Sequence, residues 1–172
     1  LGAGKKCRPN QPREGGDVSV RLLVTGGAGY IGSVVASLLV EEGHEVVVLD
    51  NLAKGHREAI PNGAGFVKGD LFDAGRLTRV LDAGFEGVLH FAALSLVGES
   101  VEQPKRYYRT NVLGMLNLLE AMRLAGVPRL VFSSTAAVYG EPVEVPITED
   151  APTHPTTPYS SSKLAADAMT GT

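Results

Sequence analysis

From Val20 onward, short apolar runs rich in β-branched residues alternate with longer stretches in which apolar residues recur every three to four positions. The short runs suit buried strands and the longer stretches suit helices with one covered face. Their alternation joins parallel strands through helical crossovers, so the pattern predicts an α/β fold built on a doubly wound parallel sheet. Strands are expected at residues 21–25, 45–49, 66–68, 88–91 and 129–132. A first helix is expected at 30–42, with Ile31, Val34, Val35, Leu38 and Leu39 on one face and Gly43 as its stop. A second is expected at 73–81. The third, at 104–125, has Pro104 in its first turn, Tyr108, Val112, Met115, Leu118, Leu119 and Met122 along one side, and Gly126 and Pro128 at its end. Its apolar side either faces the sheet or is open to a partner. Residues 142–158 read as a proline-punctuated loop, after which Thr157 as N-cap and Pro158 as first residue open a last helix at Tyr159.

Chemistry first shows between the first strand and the first helix, where the chain reads Thr25-Gly26-Gly27-Ala28-Gly29-Tyr30-Ile31-Gly32. Gly26 permits a sharp turn, Gly29 lets backbone approach a ligand, and Gly32 lets the helix pack closely on the sheet. The unpaired amides at the helix start then suit a dianionic pyrophosphate. A glycine triplet alone is equally a flexible turn; its place between strand and helix favours the phosphate-binding reading. Asp50 ends the second strand, where a carboxylate accepts hydrogen bonds from both hydroxyls of an adenine ribose and repels a 2′-phosphate. NAD is therefore expected over NADP, with a plain turn aspartate as the alternative. Gly69-Asp70-Leu71 follows the third strand, where it meets an adenine edge or simply turns the chain.

Tyr159 and Lys163 are spaced i, i+4, which puts them on one face of the last helix. The hydroxyl cluster Ser133-Ser134-Thr135 lies at the carboxyl end of the fifth strand, the edge at which such sheets bind ligands. A free phenol is only about a thousandth ionised at pH 7, and bringing it near neutrality takes roughly 4 kcal/mol. A nearby ammonium and the positive nicotinamide ring are suited to supply that. A solvated helix pair has the same spacing, so this reading leans on the glycine loop upstream.

Composition narrows the classes. The 172 residues, 44% hydrophobic and 20% charged, suffice for one core. A net charge of −3 gives no basic field for nucleic acid or an anionic membrane, and the longest apolar runs are strand-sized. Cys7 is the only cysteine, so a reducing compartment, the cytoplasm, is expected. His44, His56, His90 and His154 lack metal-ligand spacing, and no metal is expected. Residues 1–19, rich in glycine and proline, are expected to be a disordered tail, and residues 20–172 the nucleotide-binding unit.

The strings TGGAGYIG (25–32), DNL (50–52), GDL (69–71), HFAA (90–93), VGES (97–100), SSTAAVYG (133–140) and PYSSSK (158–163) occur in one order. Together, over about residues 20–168, they resemble the extended short-chain dehydrogenase/reductase family, and within it the C4-epimerases of sugar nucleotides. The resemblance implies a Rossmann fold that stops before a C-terminal substrate domain. It implies NAD contacts from Gly26, Gly29, Tyr30, Ile31, Gly32, Asp50, Asn51, Asp70, Leu71, Phe91, Ala92, Ala93 and Ser133, with Asn111 supporting the site. Thr135, Tyr159 and Lys163 are implied to be catalytic, the last two also touching the cofactor. The implied reaction is reversible inversion at C4 of UDP-galactose and UDP-glucose through a 4-keto sugar, by a protein that is commonly a homodimer. Tyr159 would take the 4-hydroxyl proton, Thr135 would hydrogen-bond the same oxygen, and Lys163 would bind the nicotinamide ribose.

Three positions depart from the family pattern. Ser95 stands where many members carry a cofactor-contacting lysine, Ser160 replaces the usual glycine after the tyrosine, and Thr135 stands where serine is also common. Ala136 and Ala137 occupy the place of the Asp-Glu pair with which related 4,6-dehydratases eliminate water, which disfavours dehydration. Another NAD-dependent sugar-nucleotide epimerase, a UDP-glucuronate decarboxylase and a non-catalytic NAD-binding fragment stay open, because the sugar-contacting residues are expected mostly in a half beyond Thr172.

Overall fold

The structure, a computed structural model, describes residues 19–171; nearly all of the expected tail, with Cys7, lies outside them. Five parallel strands form one sheet in the order β3-β2-β1-β4-β5, with β1 at Arg21–Thr25, β2 at Glu45–Asp50, β3 at Gly65–Lys68, β4 at Gly87–His90 and β5 at Leu130–Phe132. The chain winds outward from β1 through β2 to β3, then returns to place β4 on the other side of β1. That reversal leaves a crevice at the carboxyl ends of β1 and β4, where sheets of this kind bind ligands.

Alternate residues of the central strands feed two apolar layers. Leu23, Leu49 and Val88 pack with Leu77 and Leu81 of α2 (Ala74–Leu81) and with Leu118 and Met122 of the long third helix. Val24, Val46 and Val48 pack on the other face with Ala36 of α1 (Tyr30–Glu41). The sheet is thus covered on both faces, as the near-continuous apolar runs of its strands require.

Two helical faces differ from expectation. In α1 the buried positions are Gly32 and Ala36, while Ile31, Val34 and Leu38 are exposed. The glycine turn brings the start of the helix so near the sheet that a Cβ on Gly32 would run into the Gly26 carbonyl, so only small residues fit beneath it. The expected helix at 104–125 is interrupted. A short α3 (Val97–Glu102) and α4 (Pro104–Tyr107) lead into a π-helical stretch, Tyr108–Leu113, and then α5 (Gly114–Ala125). Bonding from i to i+5 adds about one residue to a turn. With Met115, Leu118 and Met122 facing the core, that extra residue turns Tyr107 inward and leaves Tyr108 partly exposed. The last helix, α6 (Pro158–Ala168), begins with the expected Thr157 cap. No helix of the described residues is long and apolar enough to cross a membrane.

Candidate functional site

The site begins where β1 ends. Gly26 has φ of 74°, donates its N–H to Leu49 O at 2.9 Å, and lies so close to the β4 loop that a Cβ there would sit 2.5 Å from Ala92 N. Only glycine satisfies both the angle and the space. The first hydrogen bond into α1 runs from Ser33 N to Gly29 O at 3.0 Å. The amides of Tyr30, Ile31 and Gly32 therefore precede the helical ladder, and Gly29 supplies no side-chain cap. The Tyr30 side chain is 88% exposed and Ile31 is exposed too, so these positions offer a ligand backbone N–H groups rather than side chains.

Asp50 is 8% exposed and braces this loop, its Oδ2 accepting from Ala28 N at 3.1 Å and its Oδ1 from Leu52 N at 2.8 Å. Leu52 has φ of 60°, a conformation that costs a branched residue energy and that the Asp50 contact holds in place. Asn51 ties the loops after β2 and β3 together, donating to Asp70 Oδ2 at 2.9 Å, and Asp70 Oδ1 accepts from Phe72 N at 3.0 Å. These residues surround a cleft of about 220 Å³, whose walls include Gly26, Gly29, Asp50, Asn51, Asp70, Leu71, Phe91, Ala92 and Ala93. The cleft is also lined by residues that sequence reasoning missed, among them Lys54, Phe72, Arg106 and Thr110. Lys54, just past the DNL string, carried a signal in its charge. Arg106 and Thr110 reach the cleft only through the path of the interrupted helix.

The other end of the site is held by side chains. Asn111, 3% exposed, accepts from Leu94 N at 2.9 Å and donates to Leu94 O and Ser162 Oγ, both at 3.0 Å. Ser162 in turn donates to the Tyr159 carbonyl at 2.7 Å, so one amide pins the β4 loop to α6. Tyr107 is fully buried and packs its ring edge-to-face on Tyr159, with centroids 6.5 Å apart. Its hydroxyl accepts from Leu96 N, and its one proton is shared between Leu96 O at 2.7 Å and Glu99 Oε2 at 2.8 Å. Burial first, then Glu99, pushes Tyr107 up to about 12, which keeps it a neutral phenol. Glu99 is held below the usual carboxylate value by the Tyr107 hydroxyl, with Arg106, paired to it at 2.5 Å, and Lys54 adding to the effect.

Lys163 is 4% exposed, and its Nζ stands 4.1 Å from the centroid of the Phe132 ring. Burial pushes it down to about 8, opposed by Asp167. His90, stacked on Phe132 at 5.8 Å, shares a 2.6 Å hydrogen bond with Thr25 Oγ1. It is pushed down to about 3 by burial and then by Lys163, so it is neutral at pH 7. The Thr135 hydroxyl accepts from Ala137 N at 3.2 Å, capping a 3-10 turn at Ala136–Tyr139. It makes no hydrogen bond to Tyr159. Ser133 N donates to His90 O at 3.2 Å, and Ser134 Oγ donates to Asp167. Ser95 is exposed, whereas Ser160 is buried and completes a reciprocal cap with Thr157. Among the described residues, no group of three His, Cys, Asp or Glu side chains is placed to hold a metal ion.

The family model described as GDP-mannose 4,6 dehydratase matches residues 23–172. The chain belongs to the GDP-mannose 4,6 dehydratase family. This family member is 60% identical over 154 residues to the UDP-glucose 4-epimerase of Streptomyces lividans, an alignment covering 88% of the chain and 47% of that relative. It thus spans about half the length of the curated relatives it matches. Its fold is similar to the crystal structure of UDP-glucose 4-epimerase from Brucella ovis in complex with NAD, with a TM-score of 0.85 and 45% identity over 88% of this chain and 46% of that one. The Thermotoga maritima UDP-glucose 4-epimerase, crystallised with UDP-glucose, gives a TM-score of 0.84 at 39% identity over 88% of this family member and 50% of that chain.

Proposed function

We propose that this chain holds NAD in the cleft at the carboxyl ends of β1 to β4 and forms the cofactor-binding and acid–base part of a UDP-glucose 4-epimerase, which interconverts UDP-galactose and UDP-glucose. The observation that carries this reading is the cleft that joins the side-chain-free turn at Gly26 and Gly29 to the Asp50 carboxylate; α6, which bears Tyr159 and Lys163, does not line that cleft but is tied through Ser162 and Asn111 to Leu94, which does. The donor set fits the cofactor. Free amides at the start of α1 suit the pyrophosphate, Gly29 leaves room for it, and Asp50 suits ribose hydroxyls and disfavours a 2′-phosphate. The likeness to epimerases crystallised with NAD and with UDP-glucose supports the same reading.

NAD, when bound, supplies the reversible oxidation at the sugar C4. The chain's own residues hold and move the proton. Tyr159 exchanges it with the 4-hydroxyl, Thr135 donates a hydrogen bond to that oxygen, and Lys163 binds the nicotinamide ribose and brings positive charge to the site. Dehydration, the reaction in the family's name, is disfavoured because Ala136 and Ala137 put no carboxylate after Thr135. Tyr108, Leu113 and Leu116 expose apolar surface on the interrupted helix, which supports homodimer formation, and the cytoplasm is the proposed location.

Calorimetric titration tests the first step, with NAD expected to bind the chain at least about tenfold more tightly than NADP, a difference of about 1.4 kcal/mol. Conversion of UDP-galactose to UDP-glucose by a protein of this sequence extended to the length of its relatives tests the second. Tyr159→Phe is expected to abolish conversion at unchanged NAD content. Conversion that survives this substitution overturns the assignment.

A further inference from the structure

Lys163 is the most enclosed cation among the described residues. Its residue is 4% exposed, and its Nζ makes neither a hydrogen bond nor an ion pair. Little of the side chain meets water, so its charge draws on nearby protein groups. The titratable groups around it are His90 from β4, Tyr159 and Asp167 on its own helix, and Tyr107 behind Tyr159. His90 is neutral, Asp167 is engaged by Ser134, and Tyr107 is committed to Glu99 and Leu96. The Lys163 ammonium stands over the face of Phe132, 4.1 Å away, well inside the range at which a ring quadrupole attracts a cation. The ring is itself held by the stacked His90, which the 2.6 Å bond to Thr25 fixes in turn.

We propose that the Phe132 ring is the seat that keeps the buried Lys163 ammonium charged and in place, a positioning residue that acts through Lys163. Burial has already brought Lys163 down to about 8, so at pH 7 the group is charged with little margin. Loss of the ring's attraction moves the midpoint further down and leaves a large neutral fraction at pH 7. The catalytic meaning of this seat rests on the role proposed for Lys163, but the seat is measurable without cofactor or sugar.

The test replaces Phe132 site-specifically with mono-, di- and trifluorophenylalanine in the cofactor-free chain, and reads the Lys163 midpoint by NMR of its side-chain nitrogen. Fluorine drains the ring face while barely changing its shape. The midpoint is expected to fall stepwise, by about one unit at three fluorines, while the thermal melting temperature stays level. Phe132→Leu is expected to shift it in the same direction. A midpoint that is constant or rises along the fluorinated series overturns the proposal, whatever the outcome for NAD binding or epimerisation. Failure of either of those, with the stepwise fall intact, strikes the functional reading alone.

Discussion

The two ends of the candidate site are assembled from different materials. At the β1–α1 end, backbone meets backbone: Gly26 N bonds Leu49 O, its Cα lies against the Ala92 backbone, and Asp50 reaches main-chain amides at Ala28 and Leu52. At the α6 end, side chains meet across long sequence distances: Asn111 on Ser162, Tyr107 on Tyr159, Lys163 on Phe132. The first end is intolerant of added atoms, since nothing can yield where main chain touches main chain. The second is sensitive to removed or altered ones, since each side chain there satisfies or enfolds another. The contrast predicts opposite responses to substitution.

The largest effect is expected at the backbone end. Gly26→Val adds a Cβ 2.5 Å from Ala92 N and branches it at a φ of 74°. Positive φ costs a branched residue about 1–3 kcal/mol and overpacking adds about as much, so a loss of about 3–5 kcal/mol is expected. Urea denaturation followed by far-UV circular dichroism measures it. A loss below about 1 kcal/mol would mean that the loop gives way and that the two ends of the site do not differ in this respect.

At the other end the response is read through pH. Lys163 is pushed from an ordinary 10.5 down to about 8 in the fold. Between these values the unfolded chain binds the proton and the folded chain does not, so this group makes stability rise with pH across that window. Over its full width the contribution is about 3 kcal/mol. Lys163→Met, similar in length and uncharged, is expected to remove that rise and to be more stable than the parent at pH 7. Denaturation midpoints of the two proteins from pH 7 to 10.5 check this. Parallel curves would show that Lys163 is not enclosed as described.

The same contrast explains how far the chain could be read before its structure was known. The glycine loop and the aspartate closing β2 are local: Gly26, Gly29, Gly32 and Asp50 announce themselves by spacing, and all but Gly32 line the cleft. The sheet was equally legible, because each strand is a short apolar run between helical periods. The α6 end was legible only in its residue types. That Tyr107 rather than Tyr108 turns inward depends on the π-helical stretch Tyr108–Leu113, and one extra residue in a turn leaves the apolar period nearly unchanged. The partnership of Asn111 with Ser162, and of Lys163 with Phe132, joins segments far apart in sequence, which no local pattern encodes. In α1 the reading failed for the opposite reason. The closeness set by the glycine turn puts Gly32 and Ala36 against the sheet and leaves Ile31, Val34 and Leu38 exposed, while Leu39, of the expected face, does pack on the core.

The smallest effect lies at the start of α6, where the chain departs from the glycine usual after the tyrosine. Ser160 is buried, its Oγ accepts from Thr157 N at 3.1 Å, and its N–H donates back to Thr157 Oγ1 at 3.2 Å. This reciprocal cap satisfies two groups that a glycine would leave without side-chain help, at the helix that carries Tyr159. Ser160→Gly removes one half of the exchange and loosens the first turn, so a loss of about 1 kcal/mol is expected, seen as a melting temperature lower by a few degrees. NAD affinity should not change, because the buried Ser160 side chain is engaged by Thr157 alone. A variant that keeps its melting temperature but loses NAD would show that the serine serves the ligand and not the helix, and would tie the two ends of the site more closely than their separate construction implies.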